Sequence, residues 1–196
     1  GRDLSLSLPR NNERQMVQFD VPVMAVNAAQ RARSRPQPAP GMVDPLMSYL
    51  TVESDEVRHE ILVSGHVAND WLKKHLADND VIPVADQQAW KDGTTRKLLD
   101  SIPIQIGGQA VDPILTRADF VTIGVGGVVT PPEPVPVLLK NGVLGIVFVY
   151  ETSALAQHVT VDWALLLDDV PKILATSTDP FGGKQQYVTA DEPTFR

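Results

Sequence analysis

Ser153, His158 and Asp162 are of the chemical types that serve as nucleophile, general base and orienter in acyl-transfer enzymes. Their spacing argues against that use. A strand over 158–165 puts His158, Thr160 and Asp162 on one face and Val159, Val161 and Trp163 on the other. His158 and Asp162 then stand about 13 Å apart along a backbone that rises ~3.3 Å per residue, too far for a direct hydrogen bond. No Gly-x-Ser-x-Gly elbow surrounds Ser153 or any other serine. No catalytic residue is assigned. His158, Thr160 and Asp162 are expected instead to form an outward polar face that meets a partner.

Metal and phosphate chemistry are tested the same way. The four histidines, His59, His66, His75 and His158, form no His-x-His or His-x-x-x-His pair. His59 and His66 are an odd number of residues apart and face opposite sides of an unbroken strand. The acidic clusters at 53–56 (ESDE) and 78–80 (DND) do not fit a twelve-residue calcium loop with its central glycine and final glutamate, so they read as solvated turns. One weak calcium site in either is compatible with the sequence, and no other metal or cofactor is expected. Gly124–Gly127 (GVGG) resembles a phosphate cradle, but VVTPPEP follows it and cannot start a helix in time. Trp71 and Trp90 could stack on a sugar, although at helical spacing they read first as core.

The elements that position these residues are mostly strands. Sixteen prolines and thirteen glycines in 196 residues call for many turns and short elements. Residues 15–26, QMVQFDVPVMAV, place Val17, Phe19, Val21 and Val23 on one face of a strand, with Pro22 marking an edge or bulge. A polyproline-like linker follows over 28–41. Strands are expected at 47–53 and 57–67, a short helix starting at Asn69 or Asp70, and a second helix over 85–99 with its middle weakened by Gly93. Ile102, Ile104 and Ile106 lead into a Gly107–Gly108 hairpin turn. The next strand, 111–123, bends at Pro113, and the four prolines of 130–137 form a rigid surface crossing. Residues 143–151 and 158–165 are expected to pair as a core hairpin with Trp163 inward. Further strands are expected at 172–177 and 185–189 around a turn at 179–183. The expected fold is a mainly β sandwich over 43–196 with a helical insertion near 69–99, preceded by a basic arm over 1–42.

Charge and composition narrow the function. The net charge of −7 argues against a general nucleic-acid binder. Residues 1–40 hold six arginines against Asp3, Glu13 and Asp20, a local +3 that leaves −10 on the remainder. The longest apolar run, Val143–Tyr150, is far short of the roughly 20 residues a helical membrane span needs. The absence of cysteine excludes thiolate chemistry and disulfides. Residues 1–10, GRDLSLSLPR, lack the apolar core of a signal peptide, so a removed signal or an internal starting point is expected.

The segments SYLTVESDEVRHEILV (48–63) and IPIQIGGQAVDPIL (102–115) precede a closing pattern of Val159, Val161 and Trp163, then Asp179, Pro180 and Gly182, then Thr189, Asp191 and Pro193. Together they resemble envelope-exposed β-rich regions of uncharacterised bacterial proteins. The resemblance implies a periplasmic or extracellular location and a place in a longer, membrane-tethered protein, and implies no activity. The function expected is a non-catalytic interaction module that binds a protein partner or a second copy through strand addition by Val17, Phe19 and Val21. The alternatives are a hydrolase or metal-handling domain, or a carbohydrate-binding module.

Overall fold

The computed structural model describes residues 44–124, 127–165, 170 and 172–195, and Val17, Phe19 and Val21 lie outside them. In chain order the elements are β1 (Leu46–Val52), β2 (Glu56–Ser64), α1 (Gly65–Trp71), β3 (Val81–Ile82), α2 (Val84–Ser101), β4 (Ile104–Ile106), β5 (Gln109–Ala110) and β6 (Ile114–Phe120). There follow β7 (Thr122–Gly124), β8 (Gly127–Val129), β9 (Val137–Leu138), a 3-10 turn (Leu139–Asn141), β10 (Val143–Glu151), β11 (Val159–Asp162), β12 (Lys172–Asp179), β13 (Gly182–Thr189) and β14 (Thr194–Phe195). The fold is mainly β, as expected, with a six-stranded sheet in the order β13-β12-β1-β2-β10-β6 and a four-stranded sheet in the order β14-β11-β4-β5.

The expected core hairpin does not form. β10 pairs antiparallel with β2 and β6, whereas β11 pairs with β4 and β14 in the other sheet. The reason is visible in VLGIVFVY itself. All eight residues Val143–Tyr150 are buried, so the strand needs cover on both faces and a neighbour on each side. Another departure is the parallel pairing of β12 with β1, which joins the C-terminal hairpin to the middle of the large sheet.

The inner face of the large sheet carries Leu46, Leu50, Val57, His59, Ile61, Leu144, Ile146 and Phe148. Its apolar members share one core with Trp90 and Leu98 of α2 and with Ile104, Val161, Trp163 and Phe195 from the small sheet or beside it. Trp163 is 1 % exposed, and truncating so large a buried aromatic costs about 3–5 kcal/mol. A smaller apolar cluster on the opposite face joins Met47, Leu62 and Val143 to Val121. On that face the register sets Glu60, Val147 and Arg117 in one row across β2, β10 and β6. The Arg117 guanidinium donates to Glu60 Oε1 at 2.8 Å, so an ion pair spans the central strand and its aliphatic stems shield Val147.

The helical insertion starts earlier than the sequence suggests. Ser64 leaves the strand with φ −64° and ψ 152°, and its Oγ accepts from the Val67 N–H, so α1 begins at Gly65 rather than at Asn69 or Asp70. Gly65 is required there: its N–H donates to the Gly142 carbonyl at 2.7 Å, and a Cβ would overlap the Leu139 carbonyl oxygen. Gly93 does not break α2. A Cβ there would lie 2.5 Å from Leu72 Cδ2, so the glycine lets the segment after α1 press against an unbroken helix. The Gly107–Gly108 turn forms as expected, with φ of +61° and +80°.

Substituting Gly65→Ala is expected to lower the unfolding free energy by about 2–3 kcal/mol, because backbone must move to admit the methyl group. Urea denaturation of both forms checks this. Gly108→Ala, which has open space but a strained φ, should cost about 1 kcal/mol.

Candidate interaction edge and pocket

The residues expected to face a partner are only partly available. His158 is exposed just before β11, and its carbonyl accepts the Gly107 N–H at 2.9 Å. Thr160 is half-buried opposite Gln105. The Asp162 carboxylate is occupied within the chain, accepting from Thr194 Oγ1 at 2.7 Å and so pinning β14 to β11. Ser153 sits exposed in the connection from β10 to β11, and no hydrogen bond links it to His158 or Asp162. The three residues are not assembled as a triad.

A serine–histidine pair that sequence spacing does not disclose lies in the core. Ser48 Oγ stands 2.8 Å from His59 Nε2, and both residues are fully buried. The pairing is diagonal between β1 and β2, because Ser48 is in register with Ile61 and His59 with Leu50. Burial pushes the His59 pKa down from 6.5 to about 3, so the ring is neutral at physiological pH. It packs edge-on against Trp163 with ring centroids 5.8 Å apart. His59 Nδ1 and Trp163 Nε1 are both buried without a hydrogen-bond partner among the described residues.

His59 also lines a pocket of about 180 Å³ between the large sheet and the elements covering it. The sheet contributes His59, Ile61, Phe148 and Tyr150, and the end of α2 contributes Leu98 and Ile102. Ile104 and Pro113 close it from β4 and from the approach to β6. Leu99, Pro103, Ala110 and Asp112 are the exposed members of the lining, so the mouth opens beside the start of β6. Burial raises the Tyr150 hydroxyl above its ordinary range, as expected of a phenol inside an apolar wall.

That strand is an edge. Among the described residues β6 is outermost on one side of the large sheet and β13 on the other. The two edges differ in chemistry. β13 opens with exposed Gly182, Gly183, Lys184 and Gln185, the polar and charged dressing that discourages edge pairing. β6 opens with Ile114 and Leu115, 49 % and 47 % exposed. The register against β10 shifts between Arg117 and Leu115, which leaves Thr116 as the bulged residue, its Oγ1 donating to the Val147 carbonyl at 3.1 Å.

A second, wider concavity of about 650 Å³ lies by α1. His66, Asp70 and Trp71 line one side, and Lys140 and Asn141 of the 3-10 turn line another. Trp90 and Trp163 are buried, so Trp71, half-buried, is the indole with a solvent-facing part. No group of three or more His, Asp or Glu suited to a metal ion occurs among the described residues. The acidic turns hold themselves: Asp80 Oδ2 accepts the Ala77 N–H and Asp55 Oδ1 accepts from Ser54 Oγ. Nor is any helix among them long and apolar enough to cross a membrane.

The buried His59 makes stability pH-dependent in a defined direction. The unfolded chain takes up a proton near pH 6.5 that the folded chain refuses until about 3, so stability falls as the pH drops between those values. In urea melts from pH 6 to 4, the wild type should lose about 1.4 kcal/mol more per pH unit than His59→Leu. No protein-family model and no curated protein matches this chain.

Proposed function

We propose that this chain is a non-catalytic interaction module acting outside the cytoplasm, and that it assembles with another copy of itself by strand addition at β6. The observation that carries the reading is the pair Ile114 and Leu115, nearly half exposed on the outermost strand of the large sheet. An edge strand offers unpaired backbone donors and acceptors, and an apolar one rewards a partner with a matching apolar face. Val17, Phe19 and Val21 supply such a face within the chain's own arm. The +3 charge of residues 1–40 against −10 on the rest favours contact between the arm of one copy and the body of another. The proline-rich, turn-rich and acidic character of the chain fits an envelope location.

Removing residues 1–40 should reduce the mass measured by light scattering to that of one copy. The full-length variant Leu115→Lys should do the same while keeping a cooperative unfolding transition, because Leu115 is nearly half exposed. An unchanged mass in both would overturn strand addition at this edge.

A second reading, a carbohydrate-binding module, draws support from the concavity by α1. Trp71 offers a stacking surface beside the hydrogen-bonding groups of Asp70 and Asn141, and the opposite charges of Asp70 and Lys140 suit a neutral polyol. If that site acts, millimolar neutral saccharides will shift the tryptophan fluorescence of the wild type and leave Trp71→Phe unmoved. A flat response across a saccharide panel rules this reading out.

A further inference from the structure

We infer that the pocket beside β6 is the anchor site of the strand-exchange interface, and that its occupant is the side chain of Phe19 from a second copy. This rests on strand addition at β6 and goes beyond it by assigning the residue that determines specificity. When a strand joins a sheet edge, backbone hydrogen bonds supply affinity without selectivity, and selectivity comes from pockets that receive alternate side chains.

Four observations converge on this occupant. The pocket lies on the inner face at the foot of the edge: Phe148 is in register with Leu115, and Pro113 immediately precedes β6. Its volume of about 180 Å³ suits one phenyl ring, since a dry cavity of about 150 Å³ is enough to hold benzene. Its lining is that of an aromatic receptor, with His59, Phe148 and Tyr150 on one wall and Leu98 and Ile104 on the other. Phe19 is the one aromatic residue among residues 1–43.

The neighbours of Phe19 fit the same arrangement. Side chains on one face of a strand repeat every ~6.6 Å, so on strand addition Val17 and Val21 of the second copy would fall to either side of the pocket. Leu99 at its mouth and Leu115 on the adjoining strand, 45 % and 47 % exposed, are the apolar surfaces that would receive them. His59 adds a fixed constraint. It is fully buried and neutral, with Nδ1 unpartnered, so the wall tolerates an aromatic edge and penalises a cation. Reach is sufficient, because the 17 residues between Val26 and Asp44 span up to about 60 Å when extended.

The lack of cysteine in the chain makes a clean test possible. Full-length Phe19→Cys and Leu99→Cys, mixed in equal amounts under mild oxidant, should give a heterodimer whose peptide mass shows residues 19 and 99 joined. Phe19→Cys mixed with Lys184→Cys, on the opposite edge, should not. Phe19→Ala should raise the dissociation constant of self-association about 100-fold, and Phe19→Tyr or Phe19→Leu should recover most of it. Suppose Leu115→Lys abolishes the assembly while Phe19→Ala leaves its dissociation constant unchanged and no 19–99 product forms. Then the pocket assignment is overturned and strand addition stands. A wild type that remains a single copy at every concentration overturns both.

Discussion

The two-sided burial of β10 is the constraint on which the rest of the architecture depends. A strand with a polar face can sit at a surface or close a simple hairpin, but Val143–Tyr150 leaves no residue suited to water. It must have a strand at each edge and a layer over each face. β2 and β6 supply the edges. α2 and the small sheet supply one layer, and on the other face the row Glu60–Val147–Arg117 lays a charge pair across the strand. Each of these elements carries apolar residues toward β10, and the turns that connect them are placed so that it can be reached.

The burial of His59 follows from that requirement. The large sheet gains its inner layer by pressing β2 against Trp163, and an imidazole caught in that layer stays neutral. Its hydrogen bond to Ser48 joins two fully buried side chains. It gives the interior a polar contact between β1 and β2, and a two-residue slip in the direction that pairs Ser48 with Val63 would break it.

Much of this was legible in the residue pattern, and the failures have specific causes. The alternation of His59, Ile61 and Val63 against Arg58 and Glu60 marks the inner face of β2 correctly, and the Gly107–Gly108 pair fixes its turn. The partner of β10 was not legible, because a strand buried on both faces has no alternation to say which neighbour it prefers. The start of α1 was misplaced because VSGHV continues a strand-like run, and only the contact of Gly65 with the 3-10 turn shows why the chain leaves the sheet there. The pocket was invisible for a different reason: its walls come from β2, α2, β4 and β10, and no local spacing encodes a cavity assembled at such separations. The bond from the Thr194 hydroxyl to the Asp162 carboxylate is likewise absent from local spacing, because β14 lies 32 residues on in the chain.

The parallel pairing of β1 with β12 carries a consequence for how the molecule comes into being. Met47 is in register with Leu174, so an interior strand of the large sheet waits for a neighbour that lies beyond nearly the whole remaining domain. Closing so long a loop is slow, and contacts of such high sequence separation delay folding. On a ribosome, β1 and β2 would emerge with one flank of the hairpin open until the C-terminal hairpin had been made. During that interval the nascent chain presents an unsatisfied apolar edge, and its safe maturation depends on how quickly synthesis finishes or on what shields the edge meanwhile.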